Sequence, residues 1–400
     1  MAFDSSSARG IEHRVLSRMH VAELIVPVAR SMHLSRFFAI FGIVACAALL
    51  PCFGANATVA AGNAFRPPLQ VPAPRGVQPI SSPLVAVAKA GKRLVAVGQR
   101  GDIVYSDDRG QHWTQARVPV SVDLTALSFP TPEQGWVVGQ NGVVLHSDDG
   151  GASWSVQLTG FQLAKQLVAD YEAMSKSAMP DSPAAKAVGL ELRNVKFMAR
   201  DAPALTLLDV WFKSAQVGFV VGQFNIILKT TDGGKSWTPL GYQVPTQESH
   251  HLYSVRGTDS GLYIAGEQGL LLYKAAGATA FQVVHTPYEG SFFGVAVGDG
   301  AVLIYGLQGH AYLSRDNGTH WTQLTVPTQS TFTSGAMVGG RIVLATASGD
   351  LFVGSTQTLQ MKLVDDHGDP AIYGLAMLGN DTVVTVGPSA PEVIGLENTK

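Results

Sequence analysis

Acid–base chemistry on a sugar needs two carboxylates facing one another across the ring. Six acids stand in turn-rich segments of this 400-residue chain: Glu248, Glu267, Glu289, Asp365, Asp366 and Asp369. Linear order does not fix their separations, and loop acids are ordinarily solvated. His250-His251 and Asp366-His367-Gly368-Asp369 contain metal-ligating types, but neither has histidines one helical turn apart or the donor order of a calcium loop. No glycine-rich loop opens a helix to cradle phosphate. Both cysteines, Cys46 and Cys52, lie in one apolar N-terminal segment, so no thiol chemistry or disulfide is expected beyond it. No metal and no cofactor are expected.

One acid-containing pattern does recur. Ser/Thr-x-Asp-x-Gly-x-x-Trp begins at Ser106, Ser147, Thr230 and Ser314, with acids Asp108, Asp149, Asp232 and Asp316. Its tryptophans, Trp113, Trp154, Trp237 and Trp321, lie 41, 83 and 84 residues apart. Each Asp can accept hydrogen bonds from its own turn, each Gly permits positive φ, and each Trp packs beneath. This is turn chemistry, and it needs no substrate.

The elements that carry these boxes follow from a second mark, Val-Gly-Gln-x-Gly or a relative, at Gly98, Gly139, Gly222, Gly266 and Gly306, with boxless relatives at Thr346 and Gly387. The steps are 41, 83, 44, 40, 40 and 41 residues, which makes seven units and one insertion. In unit two, residues 124–129, 136–139, 143–145 and 154–158 are short apolar or alternating runs bounded by turn residues, a four-stranded meander. Seven such units predict an all-β, seven-bladed propeller. Unit seven lacks a Trp-led fourth strand, and residues 67–72 resemble the stretches that end at Val118-Pro119 and Val326-Pro327. Residues 58–78 are therefore expected to close the last blade and remove an open edge.

Composition agrees with a globular β protein, at 46% hydrophobic, 14% charged and 43 glycines. Residues 37–50 form an apolar run after Arg36, followed by Ala55-Asn56-Ala57. Residues 1–57 thus read as a secretory signal peptide with an N-terminal extension, Met32 being a plausible start, and an uncleaved anchor is the alternative. Removing them takes away five arginines and three acids, moving the formal charge from −2 to −4. Nucleic acid is not an expected partner. The expected product is a periplasmic or otherwise exported soluble chain without a membrane span.

The strand order places the second-to-third hairpins and the connections between blades on one face, here called the upper face. The hairpins contribute Gln99, Arg100, Gln140, Asn141, Gln223, Phe224, Glu267, Gln268 and Gln308. The connections contribute His250, His251, Tyr253, Tyr288, Phe292, Phe293, His367 and Tyr373. Amides interleaved with rings suit partner recognition, although the same residues could merely satisfy their hairpins and fill gaps between blades. Between units two and three, Leu163, Leu167, Tyr171 and Met174 recur at helical spacing and Ser182-Pro183 starts a second helix. A helical hairpin at about 160–205 is expected, as a docking element or as a cap on the ring, with a degenerate eighth blade as a third reading.

The boxes resemble the Asp-boxes of sialidases and sortilin-type receptors, which lie away from the central pocket. A sialidase would need an arginine triad and a Phe/Tyr-Arg-Ile-Pro motif before the first box; Phe65-Arg66-Pro67-Pro68 stands there without the Ile. The leader, the seven units, the Val-Gly-Gln-x-Gly hairpins and Thr-Thr-Asp-Gly-Gly-Lys-Ser-Trp at 230–237 together resemble the photosystem II stability/assembly factor-like propellers over about residues 80–395. The resemblance implies a non-enzymatic factor that binds membrane-protein intermediates through an arginine-rich face. Only Arg100 and Arg256 fall near the expected face, which argues against photosystem binding. Relatives in non-photosynthetic bacteria look like accessory proteins of resistance-nodulation-division-type exporters. The leading expectation is an exported accessory factor bound to an integral-membrane complex, plausibly such an exporter. An exported glycosidase-like or glycan-binding propeller is the alternative, and an envelope scaffold without a defined ligand a third.

Overall fold

The computed structural model describes residues 65–76, 80, 82–201, 205–246, 248–366 and 370–396. The expected leader at 1–57 lies outside them. Seven antiparallel sheets follow one another along the chain. Blade 1 comprises Leu84–Ala90, Arg93–Gly98, Ile103–Ser106 and Thr114–Gln115; blade 2 comprises Leu124–Ser128, Gly135–Gly139, Val144–Ser147 and Ser155–Leu158. Blades 3 to 6 begin at Leu207–Phe212, Leu252–Gly257, Phe292–Gly298 and Phe332–Val338, each with four strands in chain order. Blade 7 has three, Gly374–Met377, Thr382–Val386 and Glu392–Gly395. The chain is an all-β, seven-bladed propeller with a helical insertion.

Second strands such as Gly135–Gly139 and Gly261–Gly266 are buried along their whole length, as strands covered on both faces must be. Blade faces meet in successive apolar clusters. Closure occurs by the same contact: Leu84, Val87, Leu94, Ala96 and Val104 of blade 1 pack on Val384 and Val386 of blade 7, and Leu84 N donates to Gly387 O at 3.0 Å.

The expected closing strand is corrected in its described part. Residues 65–76 include a 3-10 turn at Pro68–Gln70 and run beside the connection from blade 1 to blade 2. Ser121 N donates to Pro68 O at 2.9 Å and Ala73 N to Val118 O at 3.1 Å. Their Val-Pro likeness to residues 118–119 reflects extended chain lying against extended chain, and blade 7 keeps three strands among the described residues.

The insertion is a pair of helices, α1 (Gly160–Ser177) and α2 (Pro183–Met198). Thr159 and Gln162 form a reciprocal capping box on α1, and Ser182 accepts from Ala185 N with Pro183 following it on α2. Leu163, Leu167 and Tyr171 of the expected stripe are buried with Val188 and Val195 against Trp136, Phe212 and Trp237. The pair therefore caps blades 2 and 3.

On the lower face the boxes bond within themselves. Ser106 Oγ donates to Asp108 Oδ1 and accepts from Gly110 N, both at 2.8 Å, while His112 N donates to the same carboxylate oxygen at 2.9 Å. Equivalent bonds hold Ser147 with Asp149, Thr230 with Asp232, and Ser314 with Asp316. Hydrogen bonds from Ser236 and Thr230 push Asp232 down to about 2.

Candidate partner-binding face

The upper face is built on two repeated backbone devices. At each mark glycine the chain passes so near the entry to the inner strand that a Cβ would collide with a carbonyl oxygen, 2.2 Å from Pro83 O at Gly98 and 2.1 Å from Ser291 O at Gly306. The hairpin that follows places two successive residues in the left-handed region: Arg100, Asn141, Phe224, Gln268 and Gln308 have φ between 53° and 58°, and each is followed by a glycine of positive φ or, in blade 3, by Asn225. Asn and Gly tolerate this conformation readily; an aromatic side chain does so at a cost.

The second device is a bulge one residue into the inner strand. Pairing passes from Leu252 to Ser254 in blade 4 and from Phe292 to Gly294 in blade 5, leaving Tyr253 and Phe293 outside the ladder. A bulge re-aims the side chain it frees. Blades 2 and 6 use the same place for Thr125 and Thr333, whose hydroxyls donate to Leu207 O and Ile372 O of the next blades. Blades 4 and 5 present rings there, and the rings meet with centroids 5.0 Å apart.

These rings extend into a row. Phe224 lies edge-on to His251 at 4.9 Å, and His251 lies 6.4 Å from Tyr253. Glu267 ties them together: Oε2 accepts from His251 N at 2.7 Å and stands 3.3 Å from His251 Nδ1, while Tyr253 OH donates to Oε1 at 3.3 Å. Burial, and then the Glu267 charge, push the Tyr253 hydroxyl well above its ordinary range, so it stays a donor. In a second stack, Tyr288 lies on His310 at 3.9 Å.

Phe224 and His251 thus stand in one aromatic row with Glu267 bound to it, and Tyr288 stands in a second stack with His310. Gln268 is exposed in the blade 4 hairpin, and Gln223 Oε1 accepts from Thr206 N at 3.3 Å. Gln99, Arg100, Gln140 and Asn141 occupy the hairpins of blades 1 and 2, and Tyr373 stands at the entry to blade 7; among the described residues none shares a ring contact with the row. Two expectations are corrected. Phe292 is fully buried, because it holds the position that Leu84, Leu124, Leu207, Leu252 and Phe332 hold in their blades, the first inner-strand residue paired with the mark. His250 is also buried, and its N–H and C=O are both engaged by Asn225.

Three features escaped the sequence reading. Phe161, at the start of α1, and Phe197, at the end of α2, are 58% and 70% exposed, and α1 begins where Gly160 packs on the blade 2 hairpin at Asn141 and Gly142. The helix pair therefore adds apolar surface at its upper-face end; both rings lie off the buried helical stripe. Arg256, taken as one of two arginines near the face, pairs through Nη1 with the buried Asp209 at 2.5 Å. Asp209 Oδ2 also accepts from Val255 N at 2.8 Å. Burial opposes the guanidinium charge, but Asp209 more than offsets this and raises Arg256 above its usual value. Only the bulge alternation of inner strands hinted at this pairing, since the two residues are 47 positions apart.

Among the described residues no three His, Cys, Asp or Glu side chains converge as a metal set would; His367 and Asp369 lie outside those residues. No helix of the described residues is long and apolar enough to cross a membrane.

Comparison with known proteins completes the description. Of solved structures, one described as "YCF48 bound to D1 peptide" superposes with a TM-score of 0.57 at 16% identity, covering 80% of this chain and 95% of the other. YCF48 from Cyanidioschyzon merolae gives 0.55 at 15% identity over 80% and 97%. The WD40 β-propeller domain of Doa1 gives 0.55 at 10% over 81% and 94%. At these identities the likeness is one of fold. In sequence, the photosystem II assembly lipoprotein Ycf48 of Synechococcus sp. (strain CC9902) is 29% identical over 117 residues, which is 28% of this chain and only 35% of that relative's length. The family profile described as "Photosynthesis system II assembly factor YCF48" matches residues 84–172 and 192–359. With more than half of its residues matched, the chain belongs to the photosystem II assembly factor YCF48 family.

Proposed function

We propose that this chain is an exported, non-enzymatic assembly or accessory factor that holds an integral-membrane protein complex against its upper face, the complex being an exporter of the resistance-nodulation-division type. The observation that carries the reading is the aromatic row of blades 3 to 5. Tyr253 and Phe293 come from bulges that re-aim their side chains, and Phe224 from a left-handed turn where a small or polar residue would fit with less strain. Family membership supports the assembly role, and one solved relative is described with a bound peptide. The recognition chemistry differs from an arginine-rich face: Arg256 is committed to Asp209, and the contact would be made by rings and amides, which bury area at small entropic cost.

A glycan-processing reading has less support. Glu267 uses both carboxylate oxygens on His251 and Tyr253, and Asp209 in the ring interior is bound to Arg256.

The test is capture from gently solubilised membranes of the native host by the C-terminally tagged full chain, read by quantitative mass spectrometry. One integral-membrane complex should co-purify in stoichiometric amount, and the Tyr253→Ser/Phe293→Ser variant should lose at least about tenfold of it, as hot-spot aromatics do. Capture of an exporter would fix the partner. Recovery of the propeller alone, or capture unaffected by that variant, would overturn the reading.

A further inference from the structure

The lower-face box is missing from blades 4, 6 and 7, and blade 4 lies between two blades that keep it. In blades 1, 2, 3 and 5 the box opens eight residues after the mark glycine, at Ser106, Ser147, Thr230 and Ser314. Eight residues after Gly266 stands Lys274, and the box positions that follow hold Ala276 for Asp, Ala278 for Gly and Phe281 for Trp. The hydroxyls that open the four boxes are buried, whereas the residues 275–280 that replace the box turn are all exposed. The degenerate hairpin leaves a cleft of about 820 Å³ between blades 3 and 4, within the range of small-molecule sites.

Its walls are apolar and its charges are unbalanced. Trp211 stacks on Phe219 at 6.2 Å and reaches across to blade 4, where a Cβ on Gly257 would lie 2.1 Å from the indole. Leu240 and Leu262 complete the apolar lining. Three ammonium groups, Lys213, Lys229 and Lys274, line the cleft with one carboxylate, Asp259. Asp259 pairs with Lys213 at 3.0 Å. Lys274 donates to Gln243 Oε1 and lies over the Phe281 ring at 5.3 Å, and Lys229 lies 6.0 Å from the Phe219 ring centroid. Neither has a carboxylate partner among the described residues. Burial, and then the Lys229 charge, lower the Lys274 pKa, so an anion entering here would relieve a repulsion already present.

We propose that this cleft binds an apolar carboxylate of small-molecule size, its hydrophobic body against Trp211, Phe219 and Leu262 and its carboxylate toward Lys229 and Lys274. The site is separate from the upper face and stands whether or not that face binds a membrane complex. Size follows from the cleft volume, charge from the two unpaired ammonium groups, and the preference for rings or alkyl chains from the walls.

The test uses the full chain with 1-anilinonaphthalene-8-sulfonate as a fluorescent apolar anion and two competitors of equal shape, 4-phenylbutyrate and 4-phenylbutanol. The dye should bind near one per chain, and the acid should displace it about tenfold better than the alcohol, the size of effect expected for one charge-assisted contact. Lys229→Met with Lys274→Met keeps the apolar stems and should abolish that preference, while Lys213→Met, which removes an ammonium already paired with Asp259, should keep it within about twofold. Equal displacement by acid and alcohol in the native protein overturns the proposal, and so does an undiminished preference in the double variant. If the double variant fails to fold, the single Lys229→Gln decides by the same acid-to-alcohol ratio.

Discussion

On the lower face, four hairpins fold around the same eight-residue pattern, and each satisfies its own Asp, hydroxyl and turn amides. On the upper face, hairpins of equally uniform backbone carry Arg100, Asn141, Phe224, Gln268 and Gln308 at one left-handed position. The backbone repeats on both faces; the side chain at the left-handed position of the upper face does not. Where a side chain closes its own turn, any blade needs the same residue. Where the backbone closes the turn, the side chain is free to differ, and the proposed recognition would draw on that freedom. Blade 4 shows the converse on the lower face, for there the box is lost and a cleft stands in its place.

The contrast should appear first as stability. Trp154 is 7% exposed, donates to Gly151 O at 3.0 Å and lies edge-on to Phe129 at 6.0 Å. Trp154→Ala should cost about 3–5 kcal/mol, the range for a large buried ring, measured by urea unfolding. A loss below about 1 kcal/mol would mean that the boxes do not anchor the blades, and the division between the faces would fail.

A smaller effect comes from the seam where the helical cap meets blade 3. Glu191 of α2 is 5% exposed, and burial, opposed in part by Asn225, pushes its carboxyl up to about 7 from 4.5. Below pH 4.5 the carboxyl is protonated folded or unfolded and costs nothing. Between pH 4.5 and 7 only the unfolded chain has released its proton, so stability falls as pH rises. Glu191→Gln should therefore leave stability nearly unchanged at pH 4.5 and raise it by up to about 3 kcal/mol at pH 8, as the rise from 4.5 to about 7 implies. Unfolding curves at both pH values decide it, and a gain at pH 4.5 would point to a packing effect instead.

The sequence disclosed the two faces unequally. The ring, its seven marks and the insertion were readable because glycine marks and boxes are backbone requirements that recur at a fixed step. The Ser182-Pro183 helix start was readable for the same reason, being local. Residues 65–76 do not lie where a closing strand would, because Val-Pro at 71–72 has the composition of an outer strand but lies beside residues 118–121. Phe292 and Phe293 look interchangeable in sequence, and only the bulge between Phe292 and Gly294 buries the first and frees the second. The Asp209–Arg256 pair joins two inner strands, so no local pattern announces it. In blade 4 the lost box was visible by count, but a missing pattern does not say that a cleft opens beneath it.

The smallest effect separates folding from function most sharply. Phe224 holds φ of 53° and is 41% exposed, so it takes an unfavourable backbone conformation without the burial that would offset it. Strain of this kind costs on the order of 1 kcal/mol or more for a non-glycine residue, and glycine would remove it at some entropic loss. Phe224→Gly should then leave the fold within about 1 kcal/mol of the parent, on the stabilised side, while the neighbouring His251 loses its edge contact and capture of the membrane complex falls severalfold. If both stability and capture fall, the ring is a packing element and the row is shorter by one member. If stability rises and capture holds, Phe224 lies outside the contact and the aromatic surface begins at His251.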